Sequence, residues 1–318
     1  MQSFPCDEAV HGGDHLKGSP AKNIPASVRA RLLRLSTENK QDFQILLGQY
    51  AIERLLYRLS KSRHAKSFVL KGAMLFAIWC QKPTRSTRDL DLLGFGDISL
   101  ESLIETFRSV CNMTVELDGL VFDSGNITVE KIREDNIYGG IRVNISVFLD
   151  KARIPLQVDV GLGDSVIPPP EDTSFPSLLG YPAPKVRSYA KETVIAEKLE
   201  AAVKLGMDNS RMKDFYDIWF LSRQFSFNRE RLLSAIRATF ERRETGLPAE
   251  LPVAFTPRFF GQTEKARQWT GFIKRAKVDD PALMLEDVIR DLIPFILPLL
   301  APKEAKQQLF WTPPGPWK

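Results

Sequence analysis

In the stretch Arg85–Gly94, RSTRDLDLLG, two aspartates, Asp89 and Asp91, stand two residues apart in a segment with the apolar content of a buried strand. Aspartate is depleted in strands, and side chains two apart on a strand share one face. The two carboxylates therefore stand side by side and repel each other unless a cation lies between them. A third candidate is Asp159 in IPLQVDVGLGD, where Leu156, Val158 and Val160 alternate with Gln157 and Asp159. If the two strands lie together with their polar faces turned the same way, three carboxylates converge. Such hard oxygen ligands suit Mg2+, which takes one or two carboxylates plus substrate phosphates. Two such ions clamp the attacking and leaving oxygens of a phosphoryl displacement. The plainer alternatives are capping for Asp89 and an ion pair with Lys151 or Arg153 for Asp159.

Two later positions could join this chemistry. On ETVIAEKLEAAVKLG the apolar stripe Val194, Ile195, Leu199, Ala202 and Val203 has helical spacing, and Lys198 lies at its edge. A lysine there either snorkels to water or leans into a cleft as a point charge for a triphosphate. On RMKDFYDIWFL, Asp214 borders a buried side made by Phe215, Ile218, Trp219 and Leu221, while Lys213 and Asp217 have the spacing of an i,i+4 pair. Asp214 is open to either a structural ion pair or a place in the site.

These residues need elements to position them. Apolar spacing predicts a helical region over Ser27–Ser60, a short buried strand FVLKG at 68–72 ending at Gly72, and an apolar helix at 73–80. The strand DLDLLG follows the loop QKPTRST, and a helix is expected over 99–112. IRVNISVFLDKARIPLQVDVGLG reads as a hairpin turning at Asp150–Lys151. After the proline-rich loop 167–176 the pattern becomes helical, over roughly 190–206, 212–224, 229–243 and 281–300, with a further amphipathic helix at 266–276. A mixed α/β domain to about residue 175 followed by a helical domain is the expected organisation.

Composition narrows the class. The 318 residues are 43% hydrophobic and 26% charged, ordinary for a soluble globular chain. Three cysteines, Cys6, Cys80 and Cys111, have no metal-ligand spacing and argue against a disulfide framework, so a reducing cytoplasm is expected. The start lacks the apolar core of a signal peptide, and the run LIPFILPLLAP is too short and proline-broken to span a bilayer, so no membrane partner is expected. His11, His15 and His64 do not make a catalytic set. The net charge is +5, yet residues 185–277 hold 19 Lys/Arg against 11 Asp/Glu. A basic half beside a carboxylate-bearing half suits a polyanion such as nucleic acid, or is simply a solvated helical surface.

FVLKGAMLF, RSTRDLDLLGFGD, VIAEKLEA and RMKDFYDIWFL, in this order, resemble the AbiEii/AbiGii-type nucleotidyltransferase toxins, relatives of the mycobacterial MenT toxins with a DNA polymerase β-like domain. The resemblance covers roughly residues 40 to 300. It implies an α+β fold: a polymerase-β-like nucleotidyltransferase domain with a mixed sheet at 26–175, a helical C-terminal domain at 185–310, and tails at 1–25 and 311–318. It implies metal binding by Asp89, Asp91 and Asp159, with Lys198 and Asp214 completing the catalytic set. Lys71, Gly72, Arg85, Ser86 and Lys198 are the implied nucleotide contacts. Mg2+ is the implied cofactor and an NTP the substrate. The implied partners are an RNA acceptor, at the tRNA 3′ end in some members, and a cognate antitoxin or regulator; transfer to tRNA stops translation. Transfer to a protein or small molecule, or nucleotide binding without turnover, are the alternative readings. One departure stands out. Relatives often carry a hydroxyl residue in the first turn, where this chain has Ala73 and Met74.

Overall fold

The computed structural model describes residues 23–80, 89–132, 139–278, 280–300 and 309–318. Most of the expected tail at 1–25 lies outside them. The predicted helical region at the start is two helices, α1 (Ile24–Glu38) and α2 (Phe43–Lys61). The break falls at Asp42, whose carboxylate accepts from the backbone N–H groups of Gln44 and Ile45 and so starts a new helix.

Strand β1 (Phe68–Lys71) leads through a 3-10 turn at Gly72–Met74 into α3 (Leu75–Cys80). Then come β2 (Asp89–Gly94), α4 (Leu100–Cys111), β3 (Leu120–Phe122), β4 (Thr128–Ile132), β5 (Gly140–Leu149) and β6 (Ala152–Leu162). The hairpin forms as expected, with Asp150 at its turn taking a positive φ of 54°. Ile141, Val143, Ile145, Val147 and Leu149 alternate into the core against Ile154, Leu156, Val158 and Val160. Helix α2 packs on β6, and α4 on β4 and β5. The opposite, polar face of these strands carries Asp89, Asp91, Gln157, Asp159, Arg142 and Asn144.

Residues on both sides of the expected domain boundary return to the sheet. Strands β7 (Glu171–Ser174) and β8 (Lys185–Ser188) extend it beyond β1, giving the mixed order β3-β5-β6-β2-β1-β8-β7 with β4 also on β5. Helix α2 anchors this return with buried charge: Glu53 accepts from Ser177 Oγ at 3.0 Å and Leu178 N at 2.8 Å. Arg54 and Arg58 hold the carboxylate of Asp118.

The helical half follows, with α5 (Lys191–Leu205), α6 (Met212–Gln224), the short β9 (Phe227–Asn228), α7 (Arg229–Arg242), α8 (Pro257–Phe260), α9 (Thr263–Ala276) and α10 (Leu285–Leu300). Residues 310–318, expected as a tail from 311, pack back on this half. Strand β10 (Phe310–Trp311) pairs with β9, and Trp317 stacks on Phe295 with 5.6 Å between ring centroids. Trp317 Nε1 donates to the Phe295 carbonyl at 2.9 Å, fully inside the protein. Trp317→Phe keeps an aromatic ring there but removes this buried hydrogen bond, and is expected to cost about 1 kcal/mol. A thermal melt with an unchanged midpoint would show that the end contributes nothing.

Candidate active site

The sheet register places the sequence candidates in one row. Lys71 on β1 faces Asp91 on β2, Asp91 faces Asp159 on β6, and Asp159 faces Arg142 on β5. Asp89 stands opposite Gln157, one step along the same face. The predicted adjacency of Asp91 and Asp159 is therefore a consequence of parallel pairing in register.

This row opens into a cleft of about 580 Å³ between the sheet and the helical half. Lys71, Gly72, Asp91, Asp159 and Lys198 all line it. Asp214 lies behind the wall, 1% exposed, and reaches the cleft through Lys198 and Arg211. Asp89 sits at the exposed start of β2. Arg85 and Ser86 lie outside the described residues.

Gly72 decides how closely the first turn meets the carboxylates. Its φ is +70°, a left-handed conformation that favours glycine. A Cβ there would lie 2.0 Å from Asp91 Oδ2, so the turn backbone closes directly over this carboxylate. At the hydroxyl-bearing places of the resemblance, Met74 packs into the core while Ala73 lines the cleft with a methyl and no hydroxyl. Burial lifts the Asp91 carboxyl to about 6, with Asp159 and Asp89 adding to the rise and Lys213 and Lys71 opposing it.

Asp159 is in a different state. Arg142 grips it with both forks, Nε to Oδ1 and Nη2 to Oδ2, each at 2.9 Å. The ion pairs considered from sequence, with Lys151 or Arg153, give way to this one because Arg142 is the cross-strand neighbour. Arg153 instead donates to Ser146.

Lys71 is no surface lysine. Its Nζ donates to Asp164 at 2.7 Å and to Glu197 at 3.1 Å, and lies 5.2 Å from the Tyr189 ring centroid. Burial would lower its ammonium, but Glu197, Tyr189 and Asp164 keep it raised well above its ordinary value. Arg243, at the end of α7, joins the same network through Asp164 and Glu200. For Asp164, burial is outweighed by Lys71 and Arg243, and its carboxyl is lowered to about 2. The sheet and the helical half are thus tied together at the floor of the cleft. Asp164, Glu197 and Arg243 were not singled out from sequence, since nothing local marks a contact between residues so far apart.

The opposite wall comes from α5 and α6. Val194, Ile195 and Leu199 bury one stripe of α5 and leave Lys198 at its edge, as the periodicity predicted. Lys198 does not snorkel: its Nζ lies 2.6 Å from Asp214 Oδ1 and 2.9 Å from Asp217 Oδ2. Burial would raise Asp214, but Lys198, Arg211 and Lys213 hold its carboxyl well below the usual range. Because Asp217 turns to Lys198, the expected Lys213–Asp217 pair does not form. Lys213 is instead exposed on the cleft wall, and among the described residues it makes no ion pair. Lys204 and Arg211 line the same side. The cleft therefore faces the sheet carboxylates Asp91 and Asp159 with a helical wall in which Lys198, Lys204, Arg211 and Lys213 outnumber Glu197 and Asp208.

Among the described residues no group of three His, Cys, Asp or Glu gathers into a closed metal cage. The donor set fits a hard cation shared with a substrate. Asp91 shares one sheet face with Asp159 and Asp89, and burial holds its carboxyl up although Lys213 and Lys71 pull it down more strongly than the two carboxylates push it up.

The family profile described as nucleotidyl transferase AbiEii toxin, type IV TA system, matches residues 54–293, about three quarters of the chain. No curated protein matches the chain significantly. Among solved structures it is similar to JHP933 from Helicobacter pylori, at 15% identity and a TM-score of 0.49, covering 81% of this chain and 93% of that one. A second Helicobacter pylori protein, named provisionally as a nucleotidyltransferase, matches at 15% identity and a TM-score of 0.47, covering 81% and 96%.

Proposed function

The chain belongs to the AbiEii family of nucleotidyl transferase toxins, and on that premise we propose that it transfers a nucleotide from an NTP to an RNA acceptor, the 3′ end of tRNA, and so blocks translation. The observation that carries this reading is the polarity of the cleft, with Asp91 and Asp159 on one wall and Lys198, Lys204, Arg211 and Lys213 on the other.

Asp89 and Asp91 would hold Mg2+. When bound, such a cation supplies Lewis-acid charge to phosphate oxygens and stabilises the leaving group. The rest falls to the chain itself. Lys213, exposed and without an ion pair among the described residues, meets the triphosphate as a point charge. Lys198 adds its charge from a fixed place, because Asp214 and Asp217 orient its ammonium. A preformed cationic wall of this kind stabilises developing pyrophosphate charge without reorganising during reaction. Lys71 is engaged by Asp164 and Glu197, so it braces the turn beneath the substrate and leaves phosphate binding to the helical wall.

The acceptor would be received by the basic helical half, where Arg258, Arg267, Lys274 and Arg275 stand exposed. Phosphate contacts of this type weaken steeply with salt. No helix among the described residues is long and apolar enough to cross a membrane. An antitoxin encoded with the toxin is the partner that the family membership suggests. Incubation with each labelled NTP, Mg2+ and total tRNA is expected to label tRNA with one or more NTPs. Label on protein or on a small molecule would move the acceptor to another class, and no label with any NTP would overturn the reading.

A further inference from the structure

The bidentate grip of Arg142 on Asp159 has consequences for cation binding, which rest on the metal reading above. Both carboxylate oxygens of Asp159 are taken, one by Nε and one by Nη2. A planar guanidinium matched to a carboxylate in this way is among the stronger ion pairs available to a protein. The pair is accessible from the cleft side, with 33% of the Arg142 side chain and 20% of that of Asp159 exposed. Asp91, its neighbour in the row, has no such partner. Its two opposing cations are Lys213, which is exposed on the cleft wall and makes no ion pair among the described residues, and Lys71, whose ammonium is bonded to Asp164 and Glu197.

We propose that Arg142 is a positioning residue that reserves Asp159, competing with a divalent cation for this carboxylate so that resting metal affinity is set by Asp89 and Asp91. The cation reaches the third carboxylate only when the guanidinium lets go. Arg142 is placed to do so. It stands on β5, one strand outward from the carboxylates, and its other cross-strand neighbour is Glu130 on β4. A phosphate oxyanion entering along the polar sheet face offers the same bidentate geometry. Metal occupancy of Asp159 is thereby coupled to the arrival of a phosphate-bearing ligand, and the free protein is left with a weaker, two-carboxylate site.

The test is a calorimetric Mn2+ titration of the full chain without nucleotide, with the melting midpoint recorded for each variant. Wild type is expected to bind weakly, and Arg142→Gln about tenfold more tightly, since a charged hydrogen-bonded competitor is removed. Adding Asp159→Asn to Arg142→Gln is expected to abolish the gain. Arg142→Lys, which keeps the charge but cannot fork, is expected to fall between, and it carries the test if the glutamine variant does not fold. Arg142→Gln binding no more tightly at an unchanged midpoint, or a gain that survives Asp159→Asn, overturns the proposal while wild-type binding upholds the metal reading. Failure of every form, wild type included, to bind Mn2+ overturns both.

Discussion

Replacing Asp91 by asparagine is expected to lower nucleotide transfer by about 10²–10³-fold while leaving the fold intact. Asparagine keeps the shape of the side chain and removes the charge that would hold the proposed cation. Burial that lifts this carboxyl to about 6 disfavours its charged form, so the neutral amide is well tolerated there. Gly72→Ala is expected to come close in effect without touching a charge. Its Cβ would lie 2.0, 2.6 and 2.7 Å from Oδ2, Cγ and Cβ of Asp91, so either the turn opens or the carboxylate swings away. A displacement near 1 Å at a reacting centre costs on the order of a hundredfold. The positive φ adds a backbone penalty that should appear as a lower melting midpoint, which Asp91→Asn should not show. Steady-state transfer rates and thermal melts of both variants make the check. Full activity in Gly72→Ala would mean that the turn does not fix the carboxylate. Transfer surviving a joint Asp89→Ala and Asp91→Ala replacement would sink the metal assignment.

The difference between those variants also marks what the sequence could reveal. The hairpin strands and α5 and α6 announced themselves by period, because a half-buried strand alternates and an amphipathic helix repeats at three and four. From period alone it followed that Asp89 and Asp91 share a face, that Asp159 points away from the Leu156/Val158/Val160 face, and that Lys198 sits at the edge of its stripe. The partners of these residues did not follow. Arg142 lies 17 residues before Asp159, and only the hairpin register brings the two opposite. Lys71 meets Asp164 and Glu197 at separations of 93 and 126 residues, so its burial was invisible. The expected Lys213–Asp217 pair failed for an instructive reason. The i,i+4 rule describes an isolated helix surface, where such a pair is worth only a few tenths of a kcal/mol. A buried aspartate facing a lysine on a packed neighbouring helix takes the stronger partner, and Asp217 is fully buried against Lys198. Lys213 was thereby left for the cleft.

Lys198→Met is expected to be the most damaging change to stability and activity together. The methionine fills the same stem volume but withdraws the ammonium from Asp214 and Asp217, whose side chains are 1% and 0% exposed. Removing one partner of a buried charge network costs about 3–5 kcal/mol, because the remaining carboxylates stay desolvated. For a chain of this size that lowers the melting midpoint by roughly 10 °C. Since Asp214 has a folded-state carboxyl held well below its unfolded value, the network stabilises at neutral pH, and the contribution is lost as pH falls below about 4. Wild type should therefore lose its advantage over the variant in acid. Lys198→Met with Asp214→Asn removes charge on both sides and should recover part of the midpoint, the sign of a direct coupling in a double-mutant cycle. Activity separates brace from participant. If Lys198 only positions α6 against α5, the double variant regains transfer along with stability. If its charge also faces the triphosphate from the cleft wall, stability returns and transfer stays down by about a hundredfold, which is the expected result.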